Sequence, residues 1–365
     1  MIHLGDITKI DGISVEPVWC VTGGSPCQDL SIAGKRAGLA GARSGLFMEQ
    51  IRVIKEMREH DKQLGRTGEL IRPRYMVWEN VPGALSSNKG RDFAAVLEET
   101  IRIVEPEAPG IEVPAKGWPT WGGYRDVDGR WSVAWRVHDA QYWGVPQLRR
   151  RIALVADFGG DTAHEILFER KSVSGAFEPR GEAGKRPAGD AETGASYAVR
   201  IRGGCDGGGK GALIQTEKSG TLGTGNDQTI FQCVAFKCGG QSRDSVFCNM
   251  VARRLTPLER ERLHGFPDGW TDIGDYTDST GKKRKTSDSA RYKALGNSIA
   301  LPFWRWMFGR MAAYLPKGAT LGSLFDGIGG FPLCWEDVHG TGTAIWASEI
   351  EEFPIAVTKM RFGLS

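Results

Sequence analysis

The chain has 365 residues, with 47 Lys and Arg against 44 Asp and Glu for a net charge of +3, and it contains 50 glycines. That length suits two domains of roughly 100–200 residues each, and the small charge neither demands nor forbids a polyanionic partner. No run of about 18 apolar residues occurs, so no membrane span is expected, and the excess of glycine, roughly twice the usual ~7%, marks tight turns and close backbone approaches. The opening Met1–Asp6 has neither a basic leader nor an apolar core segment, so secretion is not expected. Among the seven cysteines, Cys205, Cys233, Cys238 and Cys248 form no Cys-x-x-Cys pair. They read as reduced thiols of a cytoplasmic protein, with neither a disulfide framework nor a metal site.

In chain order, Val18 to Thr22 predicts a buried strand, Gly45 to His60 a helix, Tyr75 to Trp78 a strand, Asp92 to Val104 a helix and Arg151 to Ala156 a strand. Strand–helix alternation of this kind argues for a mainly parallel sheet covered by helices. From about 160 to 250 the periodicity is lost, and short β-prone pieces such as Thr229 to Phe231 and Cys233 to Phe236 lie between Gly-rich turns. A flexible linker is one reading of that composition, and a second, small, loop-rich domain is the other, favoured by the embedded aromatic and β-branched residues. Lys282 to Lys285 is a basic run that suits a solvated loop as well as a phosphate contact. The tail resumes the α/β pattern, with a strand over Thr320 to Phe325, a helix after Gly330 and a strand over Ala344 to Ser348.

Five segments carry chemistry. Phe325-Asp326-Gly327-Ile328-Gly329-Gly330 follows a strand and opens a helix, so its backbone can approach a ligand beside unpaired N–H groups. Glu349 and Ile350 end the next strand about 20 residues on, where a carboxylate accepts both hydroxyls of a ribose. The pair points to an adenosine-containing cofactor. Gly24-Ser25-Pro26-Cys27-Gln28 follows a strand, which places Cys27 where ligands bind in an open α/β sheet. By residue type alone Cys27 would be a small buried hydrophobe, but Pro26 stiffens its backbone and polar residues flank it. The stretch from Gln28 to Gly45 suits a loop that closes over a substrate. Glu79-Asn80 ends another strand; it could cap the next helix, or Glu79, its pKa raised by burial, could donate a proton to a heterocycle nitrogen. Arg149 and Arg151 stand two apart at the start of a strand, hence on one face, where two guanidiniums suit an anion.

Together these segments resemble the cytosine-5 DNA methyltransferase family. Pro26-Cys27-Gln28 is similar to its nucleophile loop, Glu79-Asn80-Val81 to its base-binding motif and Gln147-x-Arg149-x-Arg151 to its Gln-x-Arg-x-Arg motif. Arg254-Leu255-Thr256-Pro257 through Gly265-Phe266-Pro267 and Trp270 resembles the motif closing the target-recognition region, and Tyr292 through Asn297-Ser298 the last cofactor motif. The resemblance spans nearly the whole chain except the recognition region. It implies an α/β, Rossmann-like, S-adenosylmethionine-dependent methyltransferase sheet with helices on both faces, plus a small loop-rich target-recognition domain. The implied domains are residues 1–160, the first part of a catalytic domain; 161–285, the recognition domain; and 286–365, the second catalytic part.

The motif order departs from the family's. Phe325-Asp326-Gly327-Ile328-Gly329 normally comes first, whereas here it lies near residue 365, and His3 to Ile7 looks like the segment that ordinarily follows it. Joining residue 365 to residue 1 restores the usual order, so the sequence reads as circularly permuted; a gene boundary drawn across a circular genome gives the same order. Permutation at a surface loop leaves the contacts unchanged.

The resemblance implies methylation of carbon 5 of a flipped-out cytosine in duplex DNA. Cys27 is then the nucleophile toward carbon 6, Glu79 and Asn80 hold the base, and Arg149 and Arg151 steady it or lower the thiol pKa. S-adenosylmethionine contacts are expected from Phe325, Asp326, Gly327, Ile328, Gly329, Glu349, Ile350, Asp6, Ile7, Ser25, Pro26, Asn297 and Ser298. Arg200, Arg202, Lys210 and Lys218 are candidates for DNA phosphates and base edges. A monomer is expected, with no metal, and with room for a cognate restriction endonuclease as partner. The rival readings are the same chemistry on tRNA and a non-catalytic DNA-binding protein derived from a methyltransferase.

Overall fold

The computed structural model describes residues 1–25, 45–168, 196–202, 211–216, 218–225, 228–237 and 246–363. They divide into two compact units: residues 1–138, 150–176 and 303–365 form the first, and 139–149 with 177–302 the second.

The first unit is built on an eight-stranded sheet in the order β1-β14-β13-β2-β3-β6-β5-β4. Its strands are β1 (Ile2–His3), β2 (Cys20–Gly23), β3 (Tyr75–Asn80), β4 (Trp121–Arg125), β5 (Ser132–Asp139), β6 (Arg150–Asp157), β13 (Leu321–Leu324) and β14 (Ala344–Ser348). β1, β14, β13, β2 and β3 run parallel to their neighbours, while β3 pairs antiparallel with β6 and β4 with β5. Five of its eight strands are thus parallel, as the strand–helix alternation suggests, and β6 with the β4–β5 hairpin makes the sheet mixed. The hairpin lies in 121–139, whose Trp, Gly, Arg and Ser residues hide it from a search for apolar runs. β2 and β13 are buried along their whole length, as central parallel strands covered on both faces must be.

Helix α1 (Gly45–Gln63) presents Phe47, Ile51, Ile54 and Met57 to the core, the three-to-four spacing that keeps one helical face inward. α2 (Arg91–Ile101) does the same with Phe93, Val96 and Leu97. Both pack with Met76 and Trp78 of β3 and with Ile152 and Leu154 of β6 in one apolar cluster. Phe93 meets Trp118 and Trp135 edge to face, at centroid distances of 5.3 and 5.4 Å. α3 (Ala163–Leu167), α6 (Leu301–Met311), α7 (Gly330–His339) and α8 (Glu352–Arg361) complete the α elements of this unit. Trp304 and Phe308 of α6 meet Phe331 and Trp335 of α7 edge to face. No described helix is long and apolar enough to cross a membrane.

The second unit holds a four-stranded antiparallel sheet in the order β10-β9-β7-β8, from β7 (Ser196–Arg202), β8 (Gly211–Thr216), β9 (Gln228–Lys237) and β10 (Val246–Arg254). Thr229 to Phe231 and Cys233 to Phe236, read from sequence as separate pieces, are one continuous strand, because their alternation runs through Gln232 without a turn residue. α4 (Pro257–His264) starts with a capping box, Thr256 and Glu259 each accepting from the other's backbone N–H, an arrangement that satisfies two otherwise orphan donors. α5 (Asp288–Asn297) follows a short ribbon of β11 (Asp275–Thr277) and β12 (Lys283–Lys285). Glu261, fully buried in α4, accepts from Gly269 N and Thr271 N at 2.8 Å each and from Arg291 Nη2 at 3.2 Å. The unit's limits thus differ from 161–285: Asp139–Arg149 and the segment through Pro302 belong with it.

Candidate active site

Five parallel strands deliver their carboxyl ends to one edge of the first unit's sheet. The pairings Leu324↔Ser348, Leu324↔Gly23, Gly23↔Trp78 and His3↔Ala347 align those ends. β6, being antiparallel, begins at the same edge, with Asn80 opposite Ile152. Residues following β13, β14, β1, β2 and β3 therefore converge, in the region where ligands bind in open α/β sheets.

The turn after β13 is the most constrained part. Phe325 has a left-handed φ of +54°, Gly327 +57° and Gly329 +79°. A Cβ on Gly327 would meet nothing within 4 Å, so its backbone is bare to a ligand, whereas one on Gly329 would strike Phe362 at 2.5 Å. Gly327 N donates to Glu349 Oε2 at 2.8 Å, and Ile350 N and Glu351 N donate to Oε1 at 2.7 and 2.9 Å. Glu349 is thus oriented from both sides at the end of β14. Asp326 is buried beneath the turn and Ile328 points into the core, while Ile350 is exposed. Ser348 Oγ donates to Gly5 O at 2.7 Å, joining the end of β14 to the loop after β1. There Asp6 Oδ1 accepts from Thr8 N and Thr8 Oγ1, and these bonds hold its carboxyl below the usual range. The Ile7 side chain is buried in the core, and its carbonyl accepts from Arg52 Nη2 at 3.1 Å.

On the other side of β13, Ser25 Oγ accepts from Trp78 Nε1 at 3.1 Å and Ser25 O from Asn80 Nδ2 at 3.3 Å. Asn80 Oδ1 also caps Val81 N at 2.8 Å. Glu79 Oε1 pairs with Arg151 Nε at 2.8 Å, and a Cβ on Gly24 would come within 3.1 Å of Glu79 Oε2. Glu79 is half-buried and shares a guanidinium; it does not lie in the apolar enclosure that a proton-donating carboxyl was expected to need. Cys27, Pro26 and the stretch to residue 44 lie outside the described residues.

Arg149 corrects a second expectation. β6 begins at Arg150, so Arg149 is not on the strand face of Arg151. It lies in the second unit, its backbone N donating to Asp139 Oδ1 at 2.9 Å. Its buried guanidinium donates to the carbonyls of Leu222, Gly296 and Ser298. Three carbonyl acceptors satisfy its terminal N–H donors and tie it to the backbone of the second unit. Asn297 ends α5, and Ser298 follows as its cap, its N donating to Leu295 O at 3.2 Å. Both belong to the second unit. Of the recognition candidates, Lys218 Nζ donates to Gln141 Oε1 at 3.2 Å, Arg200 and Arg202 lie on β7, and Lys210 is outside the described residues. Trp78, Ser323 and Ser348 hold the site and were missed in sequence. Their place at strand ends was the available signal, but serine and tryptophan there also suit plain packing.

The first-unit edge fits an adenosine-containing cofactor: a bare left-handed glycine backbone beside a fixed carboxylate suits a ribose diol. No group of three or more His, Cys, Asp or Glu that could hold a metal occurs among the described residues.

Residues 1–103 match the family model described as C-5 cytosine-specific DNA methylase. The DNA N-6-adenine-methyltransferase of Escherichia phage P1 is 27% identical to the chain, over 85% of this chain and 55% of that protein. The type II methyltransferase M2.BsuMI of Bacillus subtilis is 28% identical, over 84% and 62% respectively. The chain thus spans between about half and two thirds of the length of these relatives. A structure of the Entamoeba histolytica methyltransferase EhMeth covers 84% of this chain and 81% of that one, at 13% identity and a TM-score of 0.41. By the match of its first 103 residues and by these methyltransferase relatives, the chain is similar to C-5 cytosine-specific DNA methylases, and the likeness implies S-adenosylmethionine as methyl donor.

Proposed function

We propose that the protein methylates carbon 5 of cytosine in duplex DNA, with Cys27 as its nucleophile and residues 177–302 as the larger part of its target-recognition unit. The observation that carries this reading is the convergence of the Gly327–Glu349 turn, Ser25 and the Glu79–Asn80–Arg151 group on one sheet edge. S-adenosylmethionine, when bound, supplies an electrophilic methyl group. The backbone of Gly327 and the carboxylate of Glu349 hold its ribose, and Asp6 lies on the next loop for the adenine.

Carbon 5 of cytosine is a poor nucleophile until a thiolate adds to carbon 6. The Cys27 sulfur forms that bond, and the π pair moves to carbon 5. Once carbon 5 carries the methyl group, its proton leaves to a base and the carbon–sulfur bond breaks, returning the thiolate. Asn80 fixes the backbone of Ser25, two residues before Cys27, and so positions the start of the nucleophile loop. Arg151 orients Glu79 toward the base, which must leave the stack to reach it. The order of the motifs is read as a circular permutation, supported by the parallel pairing of β1 with β14.

The deciding experiment incubates the protein with labelled S-adenosylmethionine and either duplex DNA or tRNA, then separates the methylated nucleosides by mass spectrometry. Label in 5-methylcytosine from DNA, abolished by Cys27→Ala with cofactor binding retained, is the expected result. Label in N6-methyladenine, the product that the name of the phage P1 relative suggests, would overturn the base assignment. Label in tRNA alone would overturn the substrate.

A further inference from the structure

The β11–β12 ribbon pairs Asp275 with Lys285, Tyr276 with Arg284 and Thr277 with Lys283. A two-stranded ribbon is marginal by itself, and here the turn holds it. Asp278, buried at that turn, accepts from Thr280 N at 3.0 Å, Thr280 Oγ1 at 2.6 Å, Lys282 N at 2.9 Å and Arg284 Nε at 2.8 Å. These bonds hold its carboxyl well below the usual range. Thr286 Oγ1 donates to Gly274 O at 2.5 Å and closes the base of the ribbon.

The turn's carboxylate is therefore spent inward, on Arg284 and the backbone. Lys282, Lys283 and Lys285 are exposed, and among the described residues none has a carboxylate within 4.0 Å. Asp275 stands opposite Lys285 in register without closing to that distance. Helical cations elsewhere are different: Arg52 pairs with Glu49 and Glu56, Lys62 with Glu59, and Arg102 with Glu98 and Glu99. Lys283 and Lys285 share one face of β12 about 7 Å apart, a step comparable to that between successive phosphates of one nucleic-acid strand. Three unpaired cations on a tied ribbon form a surface for a regular polyanion and carry no device for reading bases.

We propose that the β11–β12 ribbon grips the sugar–phosphate backbone of duplex DNA through Lys282, Lys283 and Lys285. The inference rests on the functional reading above and adds to it a sequence-independent contact. The test measures binding of the full chain to a mixed-sequence duplex of about 30 base pairs over a salt series. Three proteins are compared: the parent, K282Q/K283Q/K285Q, and the control K62Q/K116Q/K317Q, which removes the same charge from exposed sites of the first unit.

For the ribbon variant, the slope of log Kd against log salt falls by about two to three and affinity near 0.1 M salt drops roughly 10- to 100-fold. The control variant keeps the parent slope, and S-adenosylhomocysteine binds all three equally. A ribbon variant with the parent slope, or an equal loss in the control, overturns the assignment while leaving the methyltransferase reading intact. A contribution seen only with tRNA overturns DNA as the partner. A parent that binds no duplex overturns the functional reading and the ribbon together.

Discussion

Asp326 shows how one side chain couples the candidate cofactor turn to pH. Its carboxyl is fully enclosed; Oδ1 accepts from Ser323 Oγ at 2.6 Å, and Oδ2 has no hydrogen-bond partner. Burial pushes the group from its ordinary 3.8 up to about 8, and the nearby charge of Glu349 adds in the same direction, against the Ser323 bond. A folded-state pKa above the unfolded one means that the folded protein holds the proton more tightly. Its contribution to stability is therefore complete below about pH 4 and is lost as pH rises toward about 8. Asp326→Asn keeps the shape without the charge, so its stability should vary less across that window and exceed the parent's at pH 9. Urea denaturation of both proteins from pH 5 to 9 checks this; parallel stability curves would contradict it. Nothing in Phe325-Asp326-Gly327 distinguishes a buried acid from a solvated one, because burial depends on strands 20 or more residues away.

At the scale of the element, the β13–turn–α7 unit was the most legible part of the chain. An apolar strand, two glycines and a helix starting at Gly330 appear in the order in which they fold. Gly329 has a reason beyond its own backbone: its left-handed φ and the Phe362 ring beside it both exclude a side chain. Gly329→Ala is expected to cost about 3 kcal/mol, from the left-handed penalty and from displacing the ring. It should also weaken S-adenosylhomocysteine binding, because α7 begins at this turn. Thermal unfolding and calorimetric titration measure the two effects; a stability change within about 0.5 kcal/mol would show that α8 yields without strain. The β4–β5 hairpin was illegible by comparison. Gly122 and Gly123 break the alternation, and the strand is recognisable only through its pairing with Ser132 to Arg136.

At the scale of the molecule, the two ends of the chain supply neighbouring strands. Ile2 pairs with Trp346, His3 with Ala347, and His3 Nε2 lies 2.9 Å from Thr358 Oγ1 in α8. Short separation in space makes a join inexpensive in loop entropy. A chain with its last residue linked to Met1 through a short Gly/Ser segment, and opened at the exposed Lys317–Gly318 turn, should fold and bind S-adenosylhomocysteine like the parent. A permutant that is insoluble, or that has lost cofactor binding, would show that the present ends are required.

The sequence by itself determined the apolar strands β2, β3, β6, β13 and β14, the glycine turn, the acidic residue after β14 and the list of candidate groups, because these rest on local periodicity and backbone conformation. Only the tertiary structure decided which candidates share a site. Glu79 and Arg151 meet across antiparallel strands, while Arg149, two residues from Arg151, is spent on carbonyls more than 70 residues away. The physical reason is that a guanidinium is claimed by whichever acceptors the fold brings into reach, and spacing along the chain does not record them.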